Sequence, residues 1–286
     1  MNKDRDVILV SGATGHQGGA VARRLIARGF KVRAMTRKPD EEKARALASL
    51  GAEVVAADLN DAASLERALA GAWGAFAVQN TWEAGVEGEE EQGKRFAEVA
   101  KKSGVSHLVY TSVASADRNT GIPHFDNKFR IEQKVRSLGF PAWTIIRPVF
   151  FMDNFLTPWF KPAIDEGKIV MPLKPDTVLQ LIAAEDIGWF GAHAFEKHEQ
   201  MNGVDVDIAG DAHTMPQTAE ILSRAAGRKI EFVRAPIEEI RKVSEEFAIM
   251  FEWMDRVGYD ADIPALVKQH GYRPTPLTAW APKQKW

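Results

Sequence analysis

The sequence contains no cysteine, which excludes disulfides, thiol catalysis and cysteine-ligated zinc. It also lacks an excess of either charge. There are 37 Lys and Arg against 39 Asp and Glu, a formal charge of −2, so nothing draws the whole chain to nucleic acid or anionic membranes. No run of about 18 apolar residues occurs, so no segment is expected to span a membrane. The opening Met1-Asn2-Lys3-Asp4-Arg5-Asp6 has no apolar core of the kind a signal peptide needs. A soluble, cytoplasmic protein is therefore expected. Metal-protease, EF-hand, Walker and Ser-His-Asp patterns are absent, and no metal site is expected. Tyrosine is scarce, at positions 110, 259 and 272 only.

What is present is a regular alternation of short strands and amphipathic helices. Residues 7–10 form a continuous apolar run, as in strands buried on both faces. A glycine loop and a helix over 19–28 follow. Val21, Leu25 and Ile26 share one face of that helix, and Gly29 stops it. The unit then recurs. Strands are predicted over 31–36, 53–57, 74–78, 107–112 and 143–147, with helices over 41–50, 61–70, 87–102 and 125–138. Parallel neighbours need such crossover helices, and right-handed crossovers give a doubly wound (Rossmann) parallel sheet. After Pro148 the regularity fails among prolines 158, 162, 172 and 175. A strand over 204–209 and helices over 217–226 and 237–254 remain readable. The expected organisation is α/β: a nucleotide-binding domain over 1–148 and a smaller interleaved C-terminal lobe over 149–286, with about 180–210 returning to the main sheet.

The loop Gly12-Ala13-Thr14-Gly15-His16-Gln17-Gly18 sits between a strand and a helix. Gly12 suits the tight turn, Gly15 a close backbone approach to a pyrophosphate, and Gly18 close helix packing. The helix end offers free N–H groups and a positive dipole to the anion. His16 and Gln17 are placed either to touch phosphate or ribose or to face solvent. The second strand ends Thr36-Arg37-Lys38, where NAD sites carry a carboxylate. Two cations suit a 2′-phosphate instead, so NADP(H) is the expected cofactor. After the third strand, Asp58 and Leu59 face the adenine position, or Asp58 or Asn60 caps the following helix. Gln79, Asn80 and Thr81 follow the fourth strand over the cofactor's middle, and Trp82 is placed to wall the pocket.

In short-chain dehydrogenases a Ser follows the fifth strand and Tyr-x-x-x-Lys opens the next helix. Here Ser112 and Lys128 are in place, but the Tyr position holds His124. Spacing of i, i+4 puts His124 and Lys128 on one helix face. Two readings stay open. His124 is a general acid, a role imidazole suits at neutral pH, or it is a polar residue of a pocket that binds cofactor without turnover.

These segments, together with Val32-Arg33-Ala34-Met35-Thr36-Arg37, Asn80-Thr81-Trp82-Glu83, His124-Phe125-Asp126-Asn127-Lys128, Gly139-Phe140-Pro141 and Asp153-Asn154-Phe155, resemble the NmrA-like family of atypical short-chain dehydrogenases. The likeness thins after about residue 215. His-Phe-Asp-x-Lys is shared with redox-sensor members. The resemblance implies NADP(H) binding through the glycine loop, Arg37, Asn80, Lys128 and the Asn154 region. It also implies one of two activities: an NADPH-dependent reductase of an apolar quinone- or carbonyl-like acceptor, or a redox sensor that binds a protein partner without turnover. Met152-Asp153 departs from the family's usual Glu before Asn154. Phe151 belongs to an aromatic cluster with Phe150, Met152, Phe155, Trp159 and Phe160 that is expected beside the nicotinamide end or in the core. Phe247, Met250, Phe251, Trp253 and Met254 have the spacing of a core or partner-docking helix. Asp186 is expected to cap a helix. An oligomer is compatible with the sequence.

Overall fold

The computed structural model describes Asn2 and residues 6–286. Met1, Lys3, Asp4 and Arg5, part of the opening read above as lacking a signal peptide's apolar core, lie outside the described residues. The strands are β1 (Val7–Val10), β2 (Lys31–Thr36), β3 (Glu53–Ala56), β4 (Ala72–Ala77), β5 (His107–Thr111), β6 (Ala142–Pro148), β7 (Phe150–Phe151), β8 (Lys168–Met171), β9 (Val178–Ile182), β10 (Val204–Ile208), β11 (Asp211–Thr214) and β12 (Glu231–Arg234). The helices include α1 (His16–Ala27), α2 (Glu42–Ser49), α3 (Ala62–Leu69), α4 (Thr81–Lys102), α5 (Pro123–Ser137), α6 (Lys161–Asp165), α7 (Ala184–Glu196), α8 (Met215–Ala226), α9 (Ile237–Val243) and α10 (Glu245–Arg256).

Two compact units emerge. The first comprises Met1–Asp117, His124–Arg147 and Ile187–Val206; the second comprises Arg118–Pro123, Pro148–Asp186 and Asp207–Trp286. A seven-stranded sheet runs β10-β6-β5-β4-β1-β2-β3. The pairings of β1 with β2 and β4, β2 with β3, β4 with β5, and β5 with β6 are all parallel. The expected doubly wound sheet is therefore found. Its order reverses between β1 and β4, the switch point where open α/β sheets bind ligands. Ile8, Leu9 and Val10 are fully buried, which accounts for the unbroken apolar run.

The largest departures from the expected helices are three. Helix α1 begins at His16 rather than residue 19, because Gly18 and Gly19 are part of it and buried. A Cβ on Gly18 would lie 2.4 Å from the carbonyl oxygens of both Gly12 and Ser11. Packing thus requires glycine there despite its poor helix propensity. Helix α4 begins at Thr81, with a break at Gly85 (φ 74°, ψ 170°) that only glycine adopts readily. The helix predicted over 237–254 divides at Ser244, whose backbone is extended and whose hydroxyl accepts from the Phe247 N–H to cap α10.

In the second unit a three-stranded sheet runs β11-β9-β7, and β12 pairs with β8. Asp186 does not cap a helix. Its carboxylate accepts from the Tyr272 hydroxyl at 2.6 Å and from the N–H and hydroxyl of Thr275, each at 2.8 Å. Asp153 does the capping, accepting from the Ala184 N–H at 2.8 Å. Among the described residues no helix is long and apolar enough to cross a membrane.

Two predictions follow from the buried frame. Gly18→Ala forces backbone apart and should cost about 1–3 kcal/mol in urea unfolding. His107, fully buried at the start of β5, has its ring nitrogen 2.9 Å from the Thr144 hydroxyl. Burial, with the nearby His198, pulls its pKa down to about 3. The unfolded chain takes up this proton near pH 6.5. The contribution is therefore complete above that pH and falls progressively as pH drops toward about 3. Urea midpoints measured between pH 7 and 4 should fall less steeply for His107→Gln than for the parent.

Candidate functional site

The loop after β1 is held to β4 by Ser11, whose N–H donates to the Phe76 carbonyl at 3.0 Å. Ser11 Oγ donates to the Val78 carbonyl at 3.1 Å and accepts from the Val78 N–H at 2.8 Å. Gly12 makes the turn with φ 56°, and Gly15 stands at the N-cap of α1 with no side-chain cap and no acidic residue in the first turn. The first N–H groups of α1 are thus left for an anion. Gly12, Gly15 and His16 are exposed, and Thr14 is half-buried. Gln17 is half-buried, and its Oε1 accepts from the Thr111 hydroxyl at 2.7 Å, tying the loop to the end of β5.

At the end of β2, Arg37 Nη2 lies 2.6 Å from Glu83 Oε2, and Lys38 pairs with Glu41 at 2.8 Å. After β3, Asp58 accepts from the Asn60 N–H at 2.8 Å. Neither Asp58 nor Asn60 caps α3. Asp61 does, accepting from the Ala63 N–H at 3.0 Å, which leaves Asp58 in a turn of its own. Leu59 is half-buried against the core. Asn80 caps α4 through the Trp82 N–H at 3.1 Å and donates to Glu83 at 3.2 Å.

Where β4 and β5 end, two buried polar side chains have no partner among the described residues. Both amide atoms of Gln79 and the hydroxyl of Ser112 are unsatisfied, although the residues are only 5% and 4% exposed. Such groups are rare in folded proteins and call for a partner.

His124 and Lys128 lie on α5, as the spacing implies. His124 is buried, with its ring 5.2 Å from Trp82 and 4.9 Å from Phe125. Lys128 forms an ion pair with Glu89, a residue the sequence reading missed. Glu89 is wholly buried. It accepts also from the Thr81 hydroxyl and from Asn127 Nδ2, the latter at 3.0 Å. Asn127 Nδ2 reaches the Val86 carbonyl as well, at 2.7 Å. Burial alone would push the Glu89 carboxyl up. The Lys128 charge and the hydrogen bonds from Lys128, Thr81 and Asn127 outweigh it, and the group lies below the usual carboxylate range. A signal was available in the sequence: Glu89 shares a helix face with the buried Gly93, Phe96 and Ala100. Tyr110 is no substitute acid, since burial, and then Glu89, Glu132 and Glu90, raise its phenol well above the ordinary value.

Phe151 and Asn154 belong to the second unit. Phe151 is half-buried and precedes the 3₁₀ turn Met152–Leu156. The Asn154 carbonyl accepts from the Thr157 N–H at 3.0 Å and hydroxyl at 2.7 Å. Phe150, Phe155 and Phe160 pack on one another with ring centroids 5.8–6.1 Å apart, so this part of the aromatic cluster is core. Trp159 is 71% exposed and faces Phe247 at 6.1 Å.

The family model described as NmrA-like family matches residues 4–278. The chain belongs to the NmrA-like family. An NmrA-like family domain-containing oxidoreductase of Cladobotryum sp is 42% identical over 52% of this chain and 48% of its own length, so the chain spans about half of that relative. A (4-alkanoyl-5-oxo-2,5-dihydrofuran-3-yl)methyl phosphate reductase of Streptomyces griseus is 31% identical over 96% of both chains. Among solved structures, the NADPH-dependent quinone oxidoreductase of Escherichia coli, complexed with NADPH, superposes with a TM-score of 0.80. It is 23% identical, with 96% of this chain and 98% of that one covered, a likeness of fold.

The buried Glu89–Lys128 pair is itself testable. Glu89→Leu leaves a nearly buried ammonium unpaired and should cost about 3–5 kcal/mol in urea unfolding. Glu89→Leu with Lys128→Met should recover most of that loss.

Proposed function

We propose that this NmrA-like protein is an NADPH-dependent reductase of an apolar, quinone- or carbonyl-like acceptor. The observation that carries the reading is the pair of unsatisfied buried side chains, Gln79 and Ser112, at the sheet's switch point beside an uncapped helix N-terminus. A dinucleotide fits these groups. Its ribose and carboxamide offer the donors and acceptors that Gln79 and Ser112 lack, and its pyrophosphate suits the first N–H groups of α1. The names and ligands of the relatives support the same reading.

In this reading Gly12, Thr14, Gly15, His16 and Gly18 present backbone to the pyrophosphate, and Gln17 is held in place by Thr111. Arg37 and Lys38 meet the 2′-phosphate, Asp58 and Leu59 the adenine, and Gln79, Asn80 and Thr81 the middle of the cofactor. The reduced cofactor, when bound, supplies a hydride. Lys128 orients the nicotinamide ribose from its pairing with Glu89, and Ser112 hydrogen-bonds at the same end. His124 supplies the proton that accompanies the hydride. A quinone can take that proton from water, so the absence of the usual Tyr does not bar the reaction.

The alternative is a non-catalytic NADP(H) sensor that binds a protein partner. The observation that favours it is His124 itself, buried against Trp82 and Phe125 where a dehydrogenase carries Tyr.

Two measurements test the reading. Arg37→Glu should weaken NADPH about 10- to 100-fold and NADH by less than about threefold; equal loss refutes the 2′-phosphate assignment. With a panel of quinone and carbonyl acceptors, turnover should reach about 1 s⁻¹ or more. It should fall about 100-fold in Lys128→Ala and, with the carbonyl acceptors, about 100-fold in His124→Ala. NADPH binding without turnover on any acceptor decides for the sensor.

A further inference from the structure

Arg37 has a partner inside the protein. Its guanidinium meets one oxygen of Glu83 at 2.6 Å, and Asn80 Nδ2 holds the other oxygen at 3.2 Å. The two charged side chains are 62% and 56% exposed. Nothing in their burial prevents the pair from opening, and such pairs are individually weak. An arginine binds carboxylate and phosphate through the same donors in the same geometry. A carboxylate placed there competes for the group that the cofactor's 2′-phosphate needs.

We infer that Glu83 is an internal competitor of the 2′-phosphate: it pairs with Arg37 and must be displaced before that phosphate binds. This rests on assigning Arg37 to the 2′-phosphate. Glu83 is then a specificity-setting residue. It lowers affinity for ligands that carry the 2′-phosphate and leaves those with a 2′-hydroxyl unaffected, because the latter need not break the ion pair. The expected consequence is a narrower preference for NADPH over NADH than Arg37 alone would give.

The competitor sits on a short, separately anchored turn. Gly85 breaks α4 with φ 74° and ψ 170°, so Thr81 to Ala84 form a single turn ahead of the main helix. Asn80 caps that turn, and the Arg37 pair fastens it through Glu83. Trp82 lies on it with its ring 5.2 Å from His124. Displacing Glu83 removes one of the fastenings. A phosphate at the adenosine end is thereby felt at Trp82, beside the residue assigned to proton supply.

The test uses the full chain with 2′,5′-ADP, which carries the phosphate, and 5′-ADP, which does not. Isothermal titration should show Glu83→Gln binding 2′,5′-ADP about three- to fivefold more tightly and 5′-ADP unchanged within about twofold. Glu87→Gln removes the same charge elsewhere on α4, from an exposed residue outside the assigned site, and should leave the ratio unchanged. Trp82 emission, taken as the difference between the parent and Trp82→Phe, should respond to 2′,5′-ADP and not to 5′-ADP. An unchanged ratio in Glu83→Gln overturns the inference, as does equal tightening of both ligands or an equal gain in Glu87→Gln. Equal emission responses to the two ligands overturn the link to Trp82. Arg37→Gln separates the two levels. If it abolishes the preference for 2′,5′-ADP while Glu83→Gln does nothing, the assignment of Arg37 stands and the competitor falls. If it leaves the preference intact, the assignment itself fails.

Discussion

One buried carboxylate organises the second half of the candidate site. Glu89 receives the ammonium of Lys128, the amide of Asn127 and the hydroxyl of Thr81. It thereby ties α4 and α5 to each other and to the start of α4. A charge this deep is tolerated only when opposite charge and hydrogen bonds meet it, and each of its three partners comes from a segment tied to the site. Lys128 is consequently a fixed cation, held between α5 and α4 by Glu89. The i, i+4 spacing that puts His124 on the same face acquires its value from that anchoring.

The first half of the site depends on backbone geometry. Ser11 joins the ends of β1 and β4 through its N–H and its hydroxyl, and Gly18 lets α1 approach the turn more closely than any side chain would allow. The N–H groups at the start of α1 have no side-chain cap, whereas Arg37, Lys38 and Lys128 are each paired with a carboxylate. The chain as a whole carries a net charge of −2.

How much of this the sequence disclosed follows from the distance over which each signal acts. Strands β1, β2, β4 and β5 were readable because each is a short apolar or alternating run, and the glycine loop because turn, approach and packing all leave glycines at fixed offsets. The start of α1 was misplaced because helix propensity discounts glycine, whereas packing requires it at Gly18. The break at Ser244 was missed because an isolated serine inside an amphipathic pattern looks like an exposed helical position. β8 and β12, and β9 and β11, were not foreseen. Each is short, and the partner it pairs with lies far along the chain. Arg37 and Lys128 were legible by position, but their partners Glu83 and Glu89 were not, since an acidic stretch on a helix ordinarily means a solvated face. The caps of α3 and α7 fell to Asp61 and Asp153, because a capping carboxylate has to reach a particular N–H and proximity in sequence does not ensure that.

The break at Gly85 has a consequence for the energetics of the chain as well as its shape. One helical turn cannot sustain itself, since its nucleus costs more than its few hydrogen bonds return. The turn from Thr81 to Ala84 is therefore stable only through its side-chain attachments, while the remainder of α4 is secured by the core. Opening of this turn is a local event, with a free energy set by those attachments and separate from that of global unfolding. Its amide protons should exchange with solvent through their own opening, far faster than those around Phe96, and any ligand that touches Arg37 changes that rate without disturbing the rest of the fold.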